Sequence, residues 1–446
     1  MDCGKYSLAA IAMDTTNLDA LKAAFNRDDA RAVRAFLEAN PDFKQRINDP
    51  VAAFGSPAIH GAKSREMLDV LLEAGANINA RSEWWAGGFG LLDSAEPELA
   101  EYAISRGAKL DPHSAARLGK IQELRELLGK KPSLVHDRGG DGQMPLHFAS
   151  TIEIAELLLE KGADIDARDI DHESTAAQWM IGSRQEIARF LVERGTHTDL
   201  LMATALGDLP LIKKILDDDP EAIRLRVSDE FFPMINPKAG GTIYQWELGW
   251  YVSAHQVARR FGHEEALELL MKRSPADVKL VNACWLGDEE TALPFSAMLR
   301  ARAGGRGVGK SPPKNAPELG PIEARQLAHA ARNNDLPALR LMLKAGLPVG
   351  ARSQHGGTAL HWAAWHGNLP MVKAILLAGA DVRDAQNDYE GTPLDWAIHA
   401  SEHGWDPMGG DYPGTIRALV AAGAPRPEKI GGSEAVRKVL EGAGFA

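Results

Sequence analysis

Cysteine is nearly absent from this chain. Cys3 and Cys284 are the only two in 446 residues. That scarcity excludes a disulfide framework and a thiolate metal centre. Excess positive charge is also lacking. The formal net charge is −11, and an acidic chain repels phosphate backbones, so general nucleic-acid binding is excluded as a class. No apolar run approaches the roughly 18–20 residues that span a bilayer. The opening MDCGKYSLAAIAMDTT carries one lysine and no long apolar core, so neither a membrane segment nor a secretory leader is expected. A cytoplasmic, soluble protein is expected.

What is present is ordinary in kind: 45% hydrophobic and 25% charged residues, a balance that excludes disorder of the whole chain. The length exceeds that of one compact domain. It leaves two or three globular domains, or an array that grows by repetition.

Repetition is the stronger signal. One phrase, an apolar run followed by Gly and an Asp/Asn-rich turn, appears as VLLEAGANINAR (70–81), LLLEKGADIDAR (157–168), LMLKAGLPVGAR (341–352) and ILLAGADVRDA (375–385). Its glycines stand at 75, 107, 162, 195, 346, 379 and 423, with steps of 32 (75→107), 33 (162→195) and 33 (346→379). A second phrase follows the turn: GSPAIHGA (55–62), GQMPLHFAS (142–150), GTALHWAAWHGN (357–368) and GTPLDWAIHA (391–400). Thr358 and Thr392 suit helix caps. Pro145 and Pro393 suit the first helical position, where the missing N–H costs nothing. Ala363 and Ala364 allow close packing, and Gly367 suits a helix end.

These phrases resemble the ankyrin repeat, with its 33-residue period and T-P-L-H-x-A motif; a bacterial-type ankyrin-repeat domain protein is expected. The resemblance is tightest over 354–386 and 387–424, good over 141–168 with a shortened first helix, and looser elsewhere. It implies an all-α solenoid of about twelve helix-turn-helix units with short β-hairpin fingers and a Gly/Pro-rich interruption. The expected organisation is an N-terminal arm (1–299), a flexible linker or loop (300–321) and a C-terminal arm (322–446). A helix at 433–440 is expected to cap the stack.

Departures from the period mark candidate functional segments. Residues 226–252 lengthen one turn, and the alternation through Ile243, Tyr244, Gln245, Trp246, Glu247 and Leu248 predicts a β-hairpin finger. Residues 401–411 (SEHGWDPMGGD) lengthen the last repeat. Segment 304–311 (GGRGVGKS) satisfies the phosphate-loop pattern. It lacks the preceding apolar strand and is followed by Pro312 and Pro313, so a linker is expected there and not a nucleotide site.

The resemblance assigns His147 and His361 a structural role, bonding within the turn and tying adjacent repeats. It places the positions that follow them on the concave groove. Aligned, the C-terminal repeats give one column of Asn282, His329, Trp362 and Trp396, and a second of Trp285, Arg332, Trp365 and His399, with His366 beside Trp365. Tyr389 and Glu390 border the same face. Trp and Arg are typical anchors of binding hot spots, so these residues are the candidate binding site; packing into gaps left by alanines is the competing role for the tryptophans. Equivalent N-terminal positions are His60, Phe148 and Trp179.

The function expected is therefore a non-catalytic scaffold that binds a protein or peptide partner along the groove. It is read as a monomer, with no cofactor, no metal and no catalytic residue. The alternative is a small-molecule or hydrolytic, metal-dependent pocket between the last two repeats. That pocket would use His366, Asp395, His399 and His403, because histidine titrates near neutrality and carboxylates can poise it.

Overall fold

A computed structural model describes residues 15–50, 52–294, 319–427 and 430–445 of the chain. Residues 1–12 and the phosphate-loop-like 304–311 lie outside the described residues. Among the described residues the architecture is helical. Strand pairing is confined to isolated antiparallel bridges, such as Arg168 with Thr175 and Arg352 with Thr358, each closing the base of a turn. Among these residues no helix is long and apolar enough to cross a membrane.

The repeating element is a helix pair. In its clearest form the inner helix Ala359–Trp365 and the outer helix Leu369–Leu377 are joined through residues 366–368. The inner helix buries Ala359, Leu360, Ala363 and Ala364, and the outer helix buries Met371, Val372 and Ile375. Small residues on the inner helix let neighbouring inner helices approach closely. Gly346 and Gly379, each at φ +86°, supply the left-handed residue where the outer helices end, a conformation that costs glycine little. The first helix of the 141–168 repeat is reduced to the 3₁₀ turn Pro145–Phe148. A terminal helix, Glu434–Gly442, buries Val436 and Leu440.

The repeat histidines bond as the resemblance implies. His361 Nδ1 accepts from Thr358 N–H at 3.2 Å, and its Nε2 donates to the Asp384 and Gly391 carbonyls at 3.0 and 3.1 Å. His147 repeats the pattern with Met144 N–H and the Ser174 carbonyl. Burial pushes His147 down to about 4, so it stays neutral and keeps both bonds.

The chain forms two compact units. One contains the described residues up to Met202 together with Val227–Gly249; the other contains Ala203–Arg226 and the described residues from Trp250 onward. The first has a core built around Ile59, Met67, Leu68, Leu71 and Ala100. In the second, the helices Ala276–Trp285 and Gln326–Arg332 contribute Val281, Cys284, Leu327 and Ala331 to one core with Leu360, Ile375 and Leu394. Arg224 ties the same two regions. It meets Asp277 and the buried Glu323, both at 2.8 Å. Burial pushes the Cys284 thiol up to about 12, so it is an inert packing group.

The hairpin expected at 226–252 is not formed. Residues Tyr244–Glu247 are a single helical turn. Ile243, Tyr244 and Leu248 are buried and Trp246 is 63% exposed. Burial at 244 and 248 is the four-residue spacing of a helix; a strand would bury 246 with them. The segment is anchored within its unit. Glu173 accepts the backbone N–H groups of Ile235 and Asn236 at 2.8 and 2.7 Å, and Tyr244 O–H donates to Asp199 at 2.9 Å.

Candidate interaction site

The second unit gathers most of the expected groove residues into one ring cluster. Trp362 and Trp396 meet edge to face with centroids 5.1 Å apart. Trp365 reaches Trp396 at 6.0 Å and His399 at 5.9 Å. Tyr389 meets Trp396 at 5.8 Å and His355 at 5.4 Å. Arg332 lies over the rings of Trp250, Trp362 and Trp405 at 4.3, 5.4 and 5.2 Å. Its Nε donates to Gln354 Oε1 at 2.9 Å, which holds the guanidinium plane among the indoles.

Depth divides the cluster. Trp362 and Trp396 are 3% and 5% exposed, whereas Tyr389 and Trp405 are 63% and 51% exposed. Trp362 Nε1 donates to Ser353 Oγ at 2.8 Å. The two buried indoles therefore form a floor. Trp405, Tyr389 and the exposed Glu390 form its outer rim. Trp405 stacks on Trp362 at 5.7 Å, and meets Trp365 at 5.9 Å and His366 at 5.4 Å.

Trp405 was not among the residues singled out from the sequence. It lies in the 401–411 insertion, which had been marked as a departure from the period. Its place over the neighbouring repeat depends on how that loop returns, which no spacing rule encodes.

Two expected site residues stand apart from the rings. Trp285 is 8% exposed and donates to Gln326 Oε1 at 2.8 Å. His329 is stacked face to face on Tyr251 with centroids 3.3 Å apart. Burial first, and then the guanidinium groups of Arg332, Arg325 and Arg226, hold His329 well below the usual imidazole range. Asn282, in the same column, is wholly buried and accepts from Ser253 Oγ at 2.7 Å.

The His/Asp grouping weighed as a reactive pocket is structurally engaged. Asp395 accepts from Thr392 N–H and Oγ1–H at 2.8 and 2.6 Å, so its carboxylate serves as a helix cap. His366 Nε2 donates to the Arg332 carbonyl at 2.8 Å. The helix Pro393–His403 does run through His403, and His399 and His403 meet at 4.8 Å. Burial and then His403 hold His399 below its ordinary value.

In the first unit, His60 bonds the Ala80 carbonyl at 2.9 Å. Phe148 packs on His113 at 5.5 Å, and Trp179 on His172 at 5.3 Å.

The family model described as ankyrin repeats (three copies) matches residues 113–202 and 327–405. Ankyrin repeat and SAM domain-containing protein 6 of Mus musculus is 29% identical over 151 residues, covering 31% of this chain and 17% of that protein. The Rattus norvegicus counterpart is 30% identical over 122 residues, covering 26% of this chain and 14% of that protein. This chain thus spans less than a fifth of the length of either. The probable 26S proteasome regulatory subunit p28 of Saccharomyces cerevisiae is 24% identical over 212 residues, covering 41% of this chain and 92% of that protein. Among solved structures, an ankyrin repeat domain of Acinetobacter baumannii is 21% identical with a TM-score of 0.28, covering 55% of this chain and 97% of that one.

Proposed function

This chain belongs to the ankyrin repeat proteins, and on that footing we propose that it is a non-catalytic scaffold that seats a protein or peptide segment on the aromatic cluster of its second unit. Ankyrin repeats generally mediate contacts between proteins. The observation that carries the reading here is the depth of the cluster. Two exposed rings, Trp405 and Tyr389, rest on a buried indole floor. Large rings held rigid from behind lose little side-chain entropy on binding, which is why such positions anchor interfaces. Arg332, fixed against three indoles, adds a cation beside them.

The site residues of this proposal are Trp365, His366, Tyr389, Glu390 and His399 with Arg332 and Trp405. Trp362 and Trp396 support them from beneath. The remaining candidates, Trp285 and His329, act through packing.

The test is selection of a random peptide library on the full chain, with affinity capture from lysate of the source cell alongside it. The comparison protein carries Trp405→Ala with Tyr389→Ala, which remove exposed rings only. The expected result is a set of peptides, and a protein sharing their motif, that bind the parent at least tenfold more tightly than the variant, with the two melting temperatures within about 2 °C. Peptides that bind both proteins equally would place the interaction elsewhere and overturn the reading.

A further inference from the structure

The first unit brings three metal-ligating side chains together from two successive turns. Asp141 comes from the turn Gly140–Gly142, and Asp171 and His172 from the next one. One ligand atom of each lies within 4.8 Å of the others. The turns are held in register by backbone bonds, since the Asp141 carbonyl accepts from Ile170 N–H and Asp171 N–H at 2.9 and 3.1 Å. Asp169 stiffens the second turn by accepting His172 N–H and Ser174 N–H at 2.9 and 2.7 Å.

His172 is the informative residue. It is 7% exposed, and its Nδ1 meets the Gly241 carbonyl at 2.7 Å. A carbonyl only accepts, so Nδ1 carries a proton and Nε2 is the ring nitrogen left to face the carboxylates. Nε2 lies 3.7 Å from Asp171 Oδ2, and Asp171 Oδ1 accepts Gly240 N–H at 3.2 Å. Among the described residues no lysine or arginine is ion-paired with Asp141 or Asp171. Two carboxylates gathered around a buried imidazole nitrogen call for a positive charge, which a proton on Nε2 or a bound cation supplies.

We propose that Asp141, Asp171 and Nε2 of His172 form a site for a divalent transition ion of the zinc class, which clips the two turns together and, through Gly241, to the segment Val227–Gly249. A mixed nitrogen and oxygen donor set suits such an ion; calcium and magnesium favour oxygen alone. Ligand bonds of about 2.0–2.2 Å at tetrahedral angles place donors about 3.3–3.6 Å apart, so donors as far apart as 4.8 Å must close by about 1.3 Å through side-chain rotation. The Gly241 carbonyl is the outer-shell partner that orients a ligating imidazole.

The test uses the full chain, tag removed and stripped with chelator. Zn²⁺ is titrated against a chromophoric indicator and by thermal denaturation. One equivalent is expected to bind and to raise the melting temperature by about 3 °C or more. Co²⁺ is expected to quench tryptophan emission, because Trp179 and Trp246 lie 5.3 and 6.5 Å from the His172 ring. Asp171→Asn and the partly buried Asp141→Asn are each expected to weaken Zn²⁺ at least tenfold, and the exposed-site control His197→Gln is expected to leave it unchanged. A parent protein with no Zn²⁺-dependent shift overturns the proposal without recourse to any variant. So does a shift that survives in both aspartate variants.

Discussion

Trp396 and Trp405 belong to one ring cluster and do different work. Trp396 is 5% exposed and touches Trp362, Trp365, Tyr389 and His361. Trp396→Ala is expected to cost about 3–5 kcal/mol, as emptying a core ring site does. Trp405 is half exposed, and Trp405→Ala is expected to cost under about 1 kcal/mol; chemical denaturation of the two variants checks both. The pair shows how far the site was legible. The sequence marked Trp362, Trp365 and Trp396 as an aromatic group. It could not tell floor from rim, because exposure depends on the loop that folds over them. His255 carries a second prediction at this scale. Its Nε2 donates to Ser274 Oγ at 2.8 Å, and its Nδ1 is buried without a partner. Burial, with Arg226 nearby, drives it down to about 3. A histidine whose folded value lies below its unfolded value of about 6.5 destabilises the fold only in acid. Its contribution is intact above pH 6.5 and is lost as pH falls from there toward 3. At pH 5 the loss from His255 is about 2 kcal/mol. Urea midpoints at pH 7 and pH 5 measure it, and an unchanged midpoint would count against the buried neutral form.

Among elements, the last inner helix depends on a reciprocal cap. Asp395 stands where two other repeats have His147 and His361, and it bonds Thr392 while Thr392 Oγ1 accepts Asp395 N–H at 3.3 Å. Asp395→Ala is expected to lower stability by about 1 kcal/mol, seen as a lower melting temperature, with peptide capture intact if the site is the ring cluster. Arg224 is the larger determinant. It pairs with Asp277, at 9% side-chain exposure, and Glu323, at 1%. Arg224→Met leaves two buried carboxylates facing each other, and a loss of about 3–5 kcal/mol is expected. Double replacement with Glu323→Gln is expected to recover part of it, which a thermal melt of the pair would show. Elements built from local rules were readable. The caps at Thr358 and Thr392, the prolines at helix starts and the glycines at helix ends act within a few residues of themselves. The segment at 243–248 was not readable, because alternating polarity over six residues fits a strand as well as a helix. Only the burial of Ile243, Tyr244 and Leu248 by their own unit separates the two.

For the whole molecule, stability is a sum over neighbouring repeat interfaces within each unit. Leu360→Ala, at a wholly buried site in the second unit, is expected to cost about 2–5 kcal/mol. Amide exchange is expected to quicken in the helices that share its core, such as Gln326–Arg332 and Pro393–His403. Exchange mass spectrometry resolves this, and uniform quickening along the chain would contradict nearest-neighbour energetics. The period and the helix pairs were determined by sequence alone, since each follows from turn chemistry repeated every 33 residues (346→379); the roles of His147 and His361 followed from the resemblance to the ankyrin repeat. Tertiary structure alone decided which tryptophans reach the surface, that Trp405 returns over Trp362, and that Asp141 meets Asp171 and His172. Those contacts join residues about a repeat apart. Their geometry is set by how repeats stack and loops return, and local preferences carry no information about either.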